Sequence, residues 1–225
     1  MRSPVPAARV IWGVGLNYRD HAAETGRPLP EAPTLFVKSP GAVIGPGDPI
    51  VVPPHVKQPD YEGELAVVIG RRAKDVREAD AFDVIAGVTV AHDVSARDHQ
   101  YNTGQFSWSK SFDTFCPLGP EVVSLDEIDL AAGLAIETRV SGEVMQSSNT
   151  SQLVFSVPFL VAWISQGCTL EPGDMILTGT PAGVGAARTP PRWLVDGDVV
   201  DITVEGVGTL SNPVVRREGA SPDET

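Results

Sequence analysis

Twenty-two glycines and twenty prolines cut this 225-residue chain into short segments, and that punctuation restricts its fold more than any other feature. Both residues interrupt helices and strand ladders, so long regular elements are not expected. The stretches between them are apolar and rich in β-branched residues. Segments 10–16, 35–38, 50–52, 64–70, 87–92, 134–140, 175–177, 199–204 and 208–210 are bounded by Gly, Pro or Asp and are predicted strands. Helical patterns are fewer. Segment 18–25 is stopped by Gly26, and 79–84 is weakly helical. Segment 157–166 has Ser156 as its N-cap, Pro158 in its first turn and Gly167 at its end. Its apolar residues cover nearly the whole circumference, which predicts a buried helix. Many strands, few helices and no repeating βαβ rhythm indicate a β-rich α+β fold.

The length suits one large domain or two small ones, and 42% hydrophobic residues suffice for a substantial core. The net charge of −12 argues against nucleic acid as a partner, because phosphates require a basic footprint. It argues equally against an anionic membrane surface. Cys116 and Cys168 lie far apart without CxxC spacing, so neither a zinc knuckle nor a redox pair is expected. Two buried free thiols in a reducing compartment are expected instead. Residues 1–9 hold no apolar core of signal-peptide length, and no apolar run reaches membrane-spanning length. A soluble cytoplasmic protein with a disordered polar tail at 216–225 is the resulting expectation.

One strand carries an unusual start. Asp60-Tyr61-Glu62-Gly63-Glu64 runs directly into Leu65-Ala66-Val67-Val68-Ile69. Residues i and i+2 of a strand point to one face, so Glu62 and Glu64 should project side by side. Two carboxylates that close require a compensating cation, and a hard divalent metal with oxygen ligands meets that need. The alternative places both glutamates in water on an edge strand.

Four further features carry chemistry. Asp93 ends the apolar segment 87–92, either as a site residue or as a helix cap for the polar stretch containing Arg97 and Gln100. Lys110 stands among aromatics and serines, either beside an anion in a closed site or snorkelling at the surface. The Thr178-Gly179-Thr180-Pro181 loop exposes backbone N–H groups that suit an anionic oxygen, or is an ordinary tight turn. His21 and Glu24, three residues apart, share a helix face. That pair either builds a general base or is a surface ion pair.

In order and composition, segments 60–65, 92–100, 110–120 and 177–185 resemble the fumarylacetoacetate hydrolase superfamily, with the likeness extending over about 10–215. The length is similar to that of its short acylpyruvase-like members. The resemblance implies a mixed β-roll and a homodimer. It implies residues 1–9 as an N-terminal extension and 10–215 as a single catalytic domain, with a lid at about 17–30. Glu62, Glu64 and Asp93 match the family's metal carboxylates, which implies Mg²⁺ or Mn²⁺. Lys110 matches its active-site lysine, and Arg97 and Gln100 match substrate contacts. Thr180, with Gly179, matches the loop that holds a substrate carboxylate. His21 and Glu24 match a lid dyad that activates water. The implied substrate is a small 2-oxo acid, and the implied reaction is metal-dependent C–C hydrolysis of an acylpyruvate or related 2,4-dioxo acid. Oxaloacetate-type decarboxylation and 2-hydroxymuconate-type isomerisation or decarboxylation are the alternatives, and a non-catalytic metal-binding dimer is a remote one.

Overall fold

The computed structural model describes residues 8–217. Most of the expected N-terminal extension and tail (residues 1–7 and 218–225) lies outside the described residues. The first half of the chain forms β1 (Ile11–Gly15), α1 (Arg19–Glu24), β2 (Thr34–Lys38), β3 (Val43–Ile44), β4 (Ile50–Val52), β5 (Pro59–Asp60), β6 (Gly63–Ile69), β7 (Ile85–His92) and β8 (Ser95–Ala96). Next come α2 (Arg97–Thr103), α3 (Phe106–Ser109), β9 (Cys116–Val123), β10 (Ala135–Val140) and β11 (Glu143–Asn149). The chain ends with α4 (Val157–Gly167), β12 (Met175–Leu177), β13 (Val199–Val204) and β14 (Gly208–Arg216). The β-rich α+β class is therefore correct.

A seven-stranded mixed sheet has the order β2-β1-β12-β6-β7-β9-β3, and a five-stranded sheet has the order β11-β10-β13-β14-β4. A two-stranded pair, β5-β8, stands apart. Strand β6 is central. It pairs antiparallel with β7, Gly63 opposite His92, and with β12, Leu177 opposite Ala66. Every one of its residues is buried, which explains its unbroken apolar run: both faces are covered. Leu65, Val67 and Ile69 enter the main core together with Ile136, Ile202 and Val204 of the second sheet. Each such side chain contributes roughly 1.5–3 kcal/mol on burial. Ala66 and Val68 face a smaller core with Ala91, Cys116, Leu118 and Leu177. The strand's alternation thus serves two cores, and the acidic residues continue the smaller one.

Several elements differ from expectation. Segment 79–84 forms a 3₁₀ helix, Glu78–Val84, rather than an α-helix. Strand β9 lies in a stretch broken by Pro117, Gly119 and Pro120, residues that ordinarily argue against a strand. Strand β11 is largely polar because it edges its sheet. Strand β14 continues past Leu210 to Arg216, so Arg216 belongs to the sheet rather than to a tail. Helix α4 begins as expected, with Ser156 Oγ accepting from Phe159 N–H at 3.3 Å. It is not buried all round: Trp163 is 40% exposed and stacks in a surface ladder with Phe159 and Phe155. Cys116 is buried, but Cys168, just beyond this helix, is exposed, which corrects the expectation of two buried thiols.

Candidate metal centre and active site

Glu62 precedes β6 and Glu64 lies on it; Asp93 follows β7. The β6–β7 ladder is extended by Asp93 N–H donating to the Glu62 carbonyl at 2.9 Å, and that bond brings the three acids together. One ligand oxygen from each lies within 4.8 Å of the others. All three are buried, with Glu62 6% and Glu64 2% exposed. The water-facing alternative for the two glutamates is therefore wrong. Asp93 is not a helix cap either, since α2 begins four residues later with Ala96 as its N-cap.

Gly63 separates the two glutamates for a steric reason. A Cβ there would lie 2.1 Å from Thr138 Oγ1, so only glycine lets the second sheet approach this strand. The approach is used: Gly63 N–H donates to Gln146 Oε1 at 2.9 Å.

The charges around the trio are unevenly matched. Lys110 is 3% exposed, which removes the snorkelling alternative. Its Nζ donates to Glu62 at 2.8 Å, Asp93 at 2.6 Å and Ser95 Oγ at 2.7 Å. Arg97 donates to Asp60 at 2.8 Å and also to Glu62. Lys38, buried at the end of β2, donates to Asp93 and to the Lys110 carbonyl. Among the described residues, Glu64 receives only the Gly179 N–H, at 2.7 Å.

The ionisation tendencies follow from this arrangement. Burial alone would raise Glu62, but Lys110 and Arg97 outweigh it and hold the carboxyl far below its usual range. Burial, then the Asp93 and Glu62 charges, push Glu64 well above its usual range. Burial alone would lower Lys110, but Asp93 and Glu62 keep it raised and charged. The trio therefore holds an undercompensated carboxyl among hard oxygen donors. That donor set fits a hard divalent cation, which Glu62, Glu64 and Asp93 would hold.

Beside the trio opens a cleft of about 220 Å³. His21, Glu62, Arg97, Gln100, Lys110 and Thr180 all line it. Its apolar wall includes Phe36 and Phe106, edge-to-face at 5.8 Å between centroids, and Lys110 Nζ stands 5.2 Å from the Phe36 ring.

The other expected residues take less direct positions. The Gly179 N–H donates to Glu64, so in this structure it supports an acid of the trio. Thr180 Oγ1 donates to the Gly63 carbonyl at 3.0 Å and accepts from Gln146 at 2.8 Å, so its hydroxyl proton is already placed. Gln100 Oε1 accepts from Arg97 at 3.0 Å, which leaves its amide nitrogen as the donor end.

The His21–Glu24 pair is formed, with Nδ1 3.1 Å from Oε2. The other Glu24 oxygen accepts from Gly183 N–H at 2.8 Å. Asp20 accepts from the Ser148 hydroxyl. Helix α1 is therefore latched to the loop after β12 and to β11 by its own acids.

Sequence reasoning missed three supporting residues. Lys38 had a readable signal: Phe36 and Lys38 share one face of a strand whose other neighbours are apolar. Asp60 is fully buried and accepts from Arg97, Gly185 N–H at 2.7 Å and Ala186 N–H at 3.1 Å. It joins the cleft wall to the arginine, a link that only the fold reveals. Gln146 lies on the polar edge strand β11, where nothing in the local pattern marks it.

Comparison with known proteins gives the family and its fold. The family model described as fumarylacetoacetate hydrolase C-terminal matches residues 10–215. A mitochondrial oxaloacetate tautomerase of Homo sapiens is 50% identical over 215 residues, covering 95% of this chain and 68% of that protein. The oxaloacetate tautomerase YisK of Bacillus subtilis (strain 168) is 47% identical, covering 94% and 71%. A crystal structure of 5-carboxymethyl-2-hydroxymuconate delta-isomerase from Mycobacterium smegmatis aligns with a TM-score of 0.86 at 48% identity, covering 97% and 83%. No helix among the described residues is long and apolar enough to cross a membrane. On the family match, these identities and the shared fold, the chain belongs to the fumarylacetoacetate hydrolase family.

Proposed function

We propose that this protein is a divalent-metal-dependent enzyme that interconverts the enol and keto forms of a small 2-oxo acid, with oxaloacetate as the leading candidate substrate. The observation carrying this reading is the undercompensated Glu64 carboxyl in a buried acid trio, beside a cleft lined by a histidine–glutamate pair. The names of the similar tautomerases and isomerase support enolisation over the hydrolysis implied by sequence resemblance.

A bound Mg²⁺ or Mn²⁺ supplies Lewis acidity toward the 2-oxo group. The chain's own residues do the rest. Beside the Glu24 carboxylate, Nδ1 of His21 keeps its proton and donates to Oε2, which leaves Nε2 as the basic nitrogen of a residue that lines the cleft. His21 Nε2 removes a proton from the substrate carbon next to the ketone to leave an enolate, whose oxygen takes a proton from solvent to give the enol; in the reverse direction the enol O–H proton goes to solvent and the imidazolium returns a proton to carbon. The Lys110 ammonium, kept charged by its acidic neighbours, offsets negative charge developing on the substrate oxygen. The Gln100 amide nitrogen and Arg97 orient the substrate carboxylate. Phe36 and Phe106 exclude water from the reacting carbon.

The same dyad suits deprotonation of a water molecule, which keeps acylpyruvate hydrolysis as the second reading. Both are tested by one panel on the full chain with Mn²⁺. Decay of enol-oxaloacetate absorbance would be followed beside pyruvate release from oxaloacetate and from acetylpyruvate. Tautomerisation much faster than either release is expected, and it should stop on chelation. Rapid acetylpyruvate cleavage with no acceleration of tautomerisation would replace the first reading with the second.

A further inference from the structure

Three cationic side chains, excluding histidine, line the cleft: Arg27, Arg97 and Lys110. Arg97 and Lys110 sit on its floor, buried and bonded to Asp60, Glu62 and Asp93. Arg27 is exposed at the rim and, among the described residues, is the one cation of the cleft without a carboxylate partner. On a chain of net charge −12, a rim arginine left unpaired is notable. The nearby acids of α1 are engaged elsewhere: Asp20 with Ser148, and Glu24 with His21 and Gly183.

The position of Arg27 is set by the backbone. Helix α1 ends in a Schellman motif: Gly26 N–H donates to the Ala23 carbonyl at 3.2 Å and Arg27 N–H to Ala22 at 3.0 Å. Gly26 takes φ +63°, a conformation glycine adopts without strain. The motif therefore turns the chain directly after the helix and seats Arg27 on the segment that carries His21. Val14, Phe36, Phe106 and Val184 in the cleft wall offer no side-chain hydrogen-bond donor to an anion.

We propose that Arg27 is a specificity-determining residue that binds a second carboxylate at the far end of the substrate, so that the cleft selects short 2-oxo dicarboxylic acids over 2-oxo acids with a neutral tail. The inference rests on the reading that the floor takes the 2-oxo acid head. It adds that the rim reads the tail. A guanidinium holds a carboxylate through two parallel N–H donors, a geometry that neither Lys nor Gln reproduces.

The test compares two stable five-carbon acids that share a head: 2-oxoglutarate, with a distal carboxylate, and 2-oxopentanoate, with a methyl end. Their binding to the full chain loaded with Mn²⁺ is measured by calorimetry for the wild type, Arg27→Gln and Arg27→Lys. At an exposed position the expected loss lies at the low end for a charged hydrogen bond, about 10-fold for 2-oxoglutarate in Arg27→Gln. Arg27→Lys should recover part of it, and 2-oxopentanoate affinity should stay within about 2-fold in both variants. Equal losses for the two acids, or no loss for either, would overturn the assignment of Arg27 while leaving the floor intact. Failure of the metal-loaded wild type to bind either acid would overturn the 2-oxo acid reading itself, and this inference with it.

Discussion

The floor and the rim of the cleft are built on different principles. The floor sits at the ends of two paired central strands, where ladder register alone brings Glu62 beside Asp93. Its charges are buried and held by Lys38, Arg97 and Lys110. The rim is the six-residue helix α1 and the loop after β12, joined by side-chain bonds at exposed or half-exposed positions. A helix that short has little stability of its own. The densely bonded, buried geometry therefore lies where charge is concentrated, and the more lightly supported element is the short helix at the cleft mouth.

The sharpest way to break this contrast is to remove charge from the floor without removing shape. Glu64→Gln keeps the side-chain outline and can still accept from Gly179 N–H. Mn²⁺ affinity, read by calorimetry, should fall by more than the roughly 10–100-fold typical of losing a mere supporting group, and turnover should disappear. The metal-free fold should hold or gain stability, because the change removes repulsion among three buried acids. A variant that binds Mn²⁺ normally would refute the floor as a metal site; one that unfolds would show that Glu64 is structural.

At the rim, the corresponding change is His21→Ala. Loss of a general base lowers turnover by about 100- to 10,000-fold. Mn²⁺ affinity should change little, since among the described residues the His21 side chain hydrogen-bonds Glu24 and none of the three acids, and only a weak charge interaction reaches Glu62. If Mn²⁺ binding and turnover fall together, floor and rim are not separable.

This contrast also explains what the sequence revealed. The floor was legible because strand periodicity is local: Glu62 and Glu64 announce a shared face, and Asp93 marks a strand end. The positions of Lys110 and Arg97 on the acids depend on tertiary folding, and their matching came from family likeness rather than from spacing. The latches of Asp20 and Glu24 join residues more than a hundred positions apart, which no local pattern encodes. Strand β9 was hidden by its prolines and β11 by its polarity, and with β11 went Gln146. The partners of the Gly179 loop were hidden for a related reason: a Gly-rich loop announces free N–H groups, but only the fold shows that an acid of the same chain takes one.

A smaller effect separates the floor's ligands from their support. Lys38 touches Asp93 but not the cleft, so Lys38→Met leaves every acid in place and removes one buried cation. Losing one partner of a buried ion pair typically costs 3–5 kcal/mol, about half of a domain's usual stability margin. Lys110 still holds Asp93, so the low end is expected, with roughly 10–100-fold weaker Mn²⁺ binding from a less fixed ligand. Denaturant melts and metal titration check the two numbers. Unchanged stability with normal metal affinity would mean that Asp93 is positioned by Lys110 alone.

The smallest effect uses the two cysteines as reporters of the same division. Cys116 lies in the small core behind the floor, and burial pushes its thiol up to about 12. At pH 8 it is both protonated and shielded, so a thiolate-selective alkylating agent should leave it untouched in the native protein. Cys168, exposed beyond α4, should react within minutes, with no change in turnover. The sign of the pH effect follows from the same shift. A thiol raised on folding keeps its proton while the unfolded chain loses it, so its stabilising contribution is complete below about pH 8.5 and declines as pH rises further. The slope is about 1.4 kcal/mol per pH unit until the folded thiol itself ionises. Alkylation of Cys116 in native protein at pH 8, at a rate approaching that of Cys168, would show that the core behind the floor opens readily, and the contrast between a firmly held floor and a lightly supported rim would fail.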